Sequence, residues 1–209
     1  MTTFSDQAAA ADAMISAFTG TTTTNYGTDT ANSGFGEQNN ATGATKRFLI
    51  KFDLSSIPSN ANISSATLSL WVKQDFADNA GTAKMYRLLR NWVESEVTAT
   101  IYSTGNNWGT FFCANSSTDY DGSAEHASCS FGTGETDGTE MQFTFTAGGL
   151  TELKKMIDGT YNNYGWMIKM DTELNDAYLV YTSEEVTQTT RRPKLVIEYT
   201  TGETFTFFF

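Results

Sequence analysis

Histidine is nearly missing: His126 is the only one in 209 residues. A Ser–His–Asp triad needs an imidazole beside a nucleophile and oriented by a carboxylate. Nothing in the loop DYDGSAEHASCS places His126 that way, and it reads as a surface-loop residue. Cysteine is almost as scarce, with Cys113 and Cys129 alone, both in one loop-rich region. A disulfide between them would close a short loop and add roughly 3 kcal/mol by the chain-entropy relation. Two reduced, partly buried thiols fit the sequence equally well. With His126 they make three possible zinc ligands, at a spacing that matches no common zinc motif. Positive charge is short as well: 13 Lys and Arg stand against 24 Asp and Glu, a net charge of −11. Nucleic acid and anionic membrane both call for a basic surface, so neither is an expected partner. No apolar run is long enough to span a bilayer. MTTFSDQAAA has neither the basic start nor the apolar stretch of a secretory signal. The expectation is a protein assembled in a cytoplasm, or one whose signal has been replaced.

Proline is held to 2 residues, while Thr, Ser, Gly and Asn are plentiful beside 15 Phe and 9 Tyr. That is the composition of a turn-rich β protein with β-branched and aromatic strands. The length suits a single all-β domain, able to bury a sizeable core without disulfides or metals.

The clearest pattern lies in residues 46–72, KRFLIKFDLSSIPSNANISSATLSLWV. Phe48, Ile50, Phe52 and Leu54 fall on one face of a strand, and Arg47, Leu49, Lys51 and Asp53 on the other. After a Ser/Asn turn containing Pro58, Ala66, Leu68, Leu70 and Val72 alternate with Thr67, Ser69, Trp71 and Lys73. Two strands cannot hide those apolar faces alone, so others must pack over them. Further strands follow where Met141, Phe143 and Phe145 alternate with polar residues, in NNYGWMIKM, in AYLVYTSEE and in RRPKLVIEYT. Leu150, Leu153 and Ile157 form a short helical stripe that Gly159 can terminate. Residues 19–45 read as a long surface loop, and 103–140 as the most irregular region. One core is expected to unite Phe48, Ile50, Phe52, Leu68, Leu70, Phe143, Phe145, Ile168 and Leu195. Many short alternating strands with a single short helix indicate a β-sandwich.

KFDLSSIP, a variable turn and then ATLSLWV resemble the DNRLRE family, also called disaggregatase-related repeats. KMYRLLRNWVESE is similar to that family's arginine-containing strand and its Trp-x-Glu segment, with Arg87, Arg90, Trp92 and Glu94 at the matching positions. ADAMISAFTGTTTTNYG is similar to its opening strand and Asn-Tyr-Gly loop, so a strand is expected near residues 13–18 although the alanines favour helix. The resemblance covers residues 11–200, is weakest over 103–140, and implies a jelly-roll-like, carbohydrate-binding-module-like β-sandwich. On this division residues 1–10 are an N-terminal extension, 11–200 the domain and 201–209 an aromatic tail.

For sites, Trp71 on the polar face of its strand could stack a sugar ring, meet another subunit, or lie under the long loops. Relatives that bind acidic polysaccharides such as alginate use basic and aromatic side chains. A polyanion would need a local basic patch on this acidic chain, and the candidates are Lys46, Arg47, Lys51, Arg87 and Arg90, with Lys84, Arg191 and Arg192 in reserve. Arg87 and Arg90 serve equally as structural partners of Glu94 on a core strand. Glu94 and Glu96 sit side by side about 7 Å apart on one strand, so they do not flank a glycosidic bond as a hydrolase pair must. Oxygen-rich loops offer calcium two places, Asp119 with Asp121, or Asp171, Glu173, Asn175 and Asp176. An EF-hand is excluded because Ser117 and Ser128 occupy its end positions.

The expected function is a non-catalytic structural or adhesive subunit of a surface assembly, such as a virion decoration or fibre protein or a cell-surface layer. The alternative is a module recognising an acidic polysaccharide, and a polysaccharide-degrading enzyme is a distant third. Partners would be other protein subunits in an oligomer. The tail TGETFTFFF, with Phe205, Phe207, Phe208 and Phe209, is an aggregation hazard if left in water, and is expected to anchor the chain into its assembly.

Overall fold

The computed structural model describes residues 1–7, 9–37, 45–76, 79–173 and 177–201. In chain order the strands are β1 (Thr2–Gln7), β2 (Ala11–Ser16), β3 (Gly34–Glu37), β4 (Thr45–Lys51), β5 (Ala61–Asp75), β6 (Gly81–Arg87), β7 (Ile101–Ser103), β8 (Asn106–Asn107), β9 (Ala127–Phe131) and β10 (Glu140–Phe145). The helix α1 (Ala147–Ile157) follows, then β11 (Trp166–Met170), β12 (Ala177–Val180) and β13 (Lys194–Thr201). Among the described residues the protein is all-β with one α-helix.

Closure departs from the expected sandwich. Antiparallel pairing runs β5–β10–β9–β6–β11–β4–β3–β12 and returns to β5, an eight-stranded barrel. The cause is the length of β5, whose 15 residues serve three neighbours. Thr67, Leu68 and Ser69 pair with β13 on one edge and β10 on the other, while Val72, Gln74 and Asp75 pair with β12. One strand therefore stitches together two layers that a sandwich keeps apart. β13 branches from β5, β1 lies along β13 from Thr2 to Gln7, and β2 lies along β4. Residues 1–10, expected to be an extension, thus hold a strand of the sheet, with Phe4 packed against the core.

All nine residues expected in one core are there and buried, and Trp166 joins them. Each large apolar side chain so buried contributes roughly 1.5–3 kcal/mol. Phe35 joins them from the segment expected to be a surface loop, edge-on to Phe143 with ring centres 6.3 Å apart. β3 gets that close because Gly34 has no side chain: a Cβ there would collide with the Tyr178 carbonyl. A second apolar cluster lies outside the barrel wall, where Leu49 and Met167 meet Ala13, Ile15, Trp92, Val97, Trp108 and Phe112. Leu49, expected on a solvent face with Arg47 and Lys51, is completely buried. The alternation was right, but β2 and the loops after β6 cover the outer face.

α1 is capped by Thr146, whose Oγ1 accepts the Gly149 N–H at 2.9 Å. Leu153 and Met156 are buried, Leu150 and Ile157 pack against the core, and Gly159 ends the helix with φ +82°. Lys154 and Lys155 lie in the last turn, where cations complement the helix dipole. This sets the exposed face of α1, with Glu152 and Thr151, beside the end of β6.

Candidate functional site

Arg87 closes β6 opposite Trp166 of β11. Its side chain is buried under the loop that follows β8 and under α1. Nη2 donates to Asp121 Oδ2 at 2.8 Å, Nε lies 3.9 Å from Glu152 Oε2, and the guanidinium sits 4.1 Å from the Tyr161 ring centre. Asp121 is held in turn by the Ser123 amide and hydroxyl, at 3.1 and 2.6 Å. The Ser123 hydroxyl, and then Arg87, keep its carboxyl below the usual range, so it is ionised at neutral pH. Glu152 Oε1 accepts from Lys155 Nζ at 2.7 Å.

His126, just before β9, completes the group. Far from a surface-loop residue, it is 1% exposed. Its Nδ1 accepts the Trp166 indole N–H at 3.2 Å. Burial, and then the charge of Arg87, lower its pKa to about 4, so the ring is neutral. A cavity of about 320 Å³ opens between these residues, lined by Asp121, Ser123, His126, Thr151, Glu152 and Tyr161 among others. On the far side of Tyr161 a second depression of about 220 Å³ lies between Arg87 and Tyr164. A larger groove of about 450 Å³ lies on the other flank of α1, where Ile63 and Leu150 supply apolar surface and Asn62, Thr151, Lys154 and Lys155 the polar groups.

The other predicted site residues are taken up by internal bonds. Arg47 makes a two-pronged pair with Glu173, 2.8 Å on each prong, and donates to the Phe112 and Cys113 carbonyls at 2.9 and 3.1 Å. It also lies 4.4 Å over the Phe112 ring. Phe112 and Cys113 have φ of 68° and 53°, so Arg47 clamps a turn in a conformation that such residues avoid. Lys46 reaches the Asn32 carbonyl and Lys51 lies 5.7 Å from the Trp92 ring. Arg90 is 3.7 Å from Asp119 and 5.7 Å from the Tyr102 ring. The expected pairing of Arg87 or Arg90 with Glu94 does not form, since Glu94 accepts the Asp12 amide. Lys84 pairs with Asp171 and Glu125, and Arg191 with Asp137. Arg192 donates to the Glu185 carbonyl. Trp71 is half-buried on β5 opposite Glu140.

The carboxylates considered for calcium are committed elsewhere. Asp119 is fully buried and accepts three amides, of Gly109, Thr110 and Asn115, at 2.6 to 3.1 Å. Asp121, Asp171 and Glu173 face cations. Among the described residues no three His, Cys, Asp or Glu gather to hold a metal. Asp176 and the tail phenylalanines Phe205, Phe207, Phe208 and Phe209 lie outside the described residues. Cys113 and Cys129 are both free, the first in the outer cluster and the second against the barrel core. They face different cores, so no bridge forms.

The model for the family described as disaggregatase related repeat domain matches residues 26–197. The chain belongs to that family. No curated protein matches it. Within the matched span, the disaggregatase related repeat brings together Arg87, Asp121, His126, Glu152 and Tyr161, of which only Arg87 and Asp121 stood out as candidates in the sequence. Nothing in local spacing ties Tyr161 or Glu152 to Arg87, because the contacts cross the barrel end. No helix among the described residues is long and apolar enough to cross a membrane.

Proposed function

We propose that the protein is a non-catalytic adhesive module of a surface assembly, on a cell envelope or a virion, joined there to other protein subunits. The observation that carries this reading is the pinning of long loops onto a closed barrel. Arg47 ties the loop at Phe112 and Cys113 to β4 and Glu173, and Asp119 gathers three amides of the same loop. Loops fixed this way form a rigid display surface, and they present Phe111 to solvent at 49% exposure. Rigid loops on a stable scaffold lose little entropy on contact, which suits adhesion.

The acidic-polysaccharide alternative loses support from the same geometry. Arg47, Lys84, Arg87 and Arg191 are each paired with a carboxylate, which offsets the charge they could offer a polyanion. A polyanion meeting a net charge of −11 would find no compensating patch in them. The test is fractionation of the native producing cells or particles with an antibody to the chain. The module should sediment with envelopes or particles and resist a low-salt wash. Recovery only in the soluble fraction would overturn the reading.

A further inference from the structure

We infer that the groove between β5 and α1 receives residues 203–209 of a second copy of the chain, laid in as an added strand. This deepens the assembly reading by naming one partner subunit, and rests on that reading for the use of the contact. One wall of the groove is a strand edge. β5 pairs with β13 along one edge from Ala61 to Ser69. On its other edge β10 reaches back only as far as Thr67. Beside Ala61, Asn62 and Ile63 the facing wall is α1, through Ala147, Leu150 and Thr151. Successive residues of a strand turn their N–H and C=O groups to opposite edges. The start of β5 therefore directs ladder groups into the groove, where no strand among the described residues pairs with them. An open edge beside apolar surface is the setting in which an extended peptide adds a strand, its backbone bonding the edge and its alternate side chains filling pockets. Half-buried Ile63 and Leu150 supply that surface.

The occupant follows from where the described chain stops. β13 ends at Thr201, opposite Ala61, a residue that lines the groove. The sequence goes on as GETFTFFF, outside the described residues. An extended run puts Phe205, Phe207 and Phe209 on one side, the spacing that strand addition reads. ETFTFFF also brings no cation to oppose Lys154 and Lys155 at the rim. The chain's own groove lies across β5, on the edge away from β13. To reach it the tail must double back around the start of β5. There Lys154 Nζ, bonded to the Ser59 carbonyl at 2.6 Å, joins α1 to the chain entering β5 and closes the route. A second copy meets no such bar. With a two-fold axis beside Ala61 each tail leaves next to the other's groove, and seven extended residues reach about 23–25 Å. The exchange is reciprocal and closes at two copies. Six rings, three from each copy, bury about 900–1,500 Å², against the roughly 1,200–2,000 Å² of a stable interface.

The test joins sedimentation equilibrium with NMR on the full chain at pH 7. The chain should sediment as a dimer whose population rises with concentration. In a mixture of copies labelled in their Ile and Leu methyl groups and copies labelled in their Phe rings, the Ile63 and Leu150 methyls should show contacts to rings of the other copy. Phe205→Ser with Phe207→Ser should weaken dimerisation at least tenfold. Ala147 and Thr151 are exposed, one turn apart on α1, and both line the groove. Ala147→Trp with Thr151→Trp should therefore fill it and weaken dimerisation as much, with the strand signal in circular dichroism unchanged. A monomer at every concentration, or methyl-to-ring contacts confined to one copy, would overturn the inference. So would a dimer that both pairs of substitutions leave intact. Cell fractionation would still decide the adhesive reading in each case.

Discussion

Arg47→Ala separates a ligand-binding arginine from a structural one. The substitution removes four hydrogen bonds, two to Glu173 and two to the carbonyls of Phe112 and Cys113. It leaves a carboxylate without its cation and a left-handed turn without its clamp. Breaking a buried ion pair costs about 3–5 kcal/mol. The Glu173 side chain keeps 20% of its surface in water, which favours the lower end, so about 3 kcal/mol is expected. That is a large share of the roughly 5–15 kcal/mol by which folded domains are stable. Urea unfolding at pH 7 should show a lower midpoint with an unchanged slope, and amide exchange should rise at Phe112, whose N–H bonds the Ala99 carbonyl at 2.7 Å. Arg47→Lys keeps the charge but not the fork, and should recover less than half of the loss. A loss under about 1 kcal/mol, with the loop still protected, would refute the clamp and return Arg47 to the surface as a ligand residue.

Phe52→Ala should cost about 3–5 kcal/mol by urea unfolding, since the ring is wholly buried in the barrel core. Gly34→Ala should cost at least about 1 kcal/mol in the same assay, because the new methyl must push back the Tyr178 carbonyl across β3 and β12. Two buried groups should tilt stability against pH in opposite senses. Burial, aided by the charges of Glu94 and Glu184, raises Asp12 to about 7, so the folded state holds a proton that the unfolded state releases and stability falls as pH rises from about 4 to 7. His126, lowered to about 4, is neutral in the folded state while the unfolded ring is protonated, so stability is lost as pH falls from about 6.5 to 4. Thermal melts across pH 4–7 should be nearly flat in the parent chain, gain a rising slope in Asp12→Asn, and gain a falling slope in His126→Gln.

Period-two alternation made the barrel interior legible, because each strand's inward set is written in its own residues: Phe48, Ile50 and Phe52, or Met141, Phe143 and Phe145. It could not show that the outward set of β4 is also covered, since Leu49 is buried by residues far away in the chain, Trp92 and Phe112 among them. Closure was hidden for a related reason: three partners of β5 depend on register, and register is decided by packing across the sheet. The candidate site was harder still. A sequence marks an arginine but not its partner, so Arg47 and Arg87 looked like ligand residues until Glu173 and Asp121 were seen to meet them. His126 was misplaced because its loop is mostly polar and small, while its burial comes from Trp166 and α1.

β1 lies antiparallel along β13, with Thr2 opposite Tyr199 and Gln7 opposite Lys194. The chain therefore enters and leaves the domain at the same corner. Under tension between those two points the first ladder to be loaded would open like a zipper, one rung at a time, instead of resisting in shear. A tether that bears load would then have to run from this corner to whatever the loops grip at another surface of the barrel. In a string of such units, each would hang from its corner like a pendant, and stretching the string would peel β1 away while the closed eight-stranded ring stayed whole.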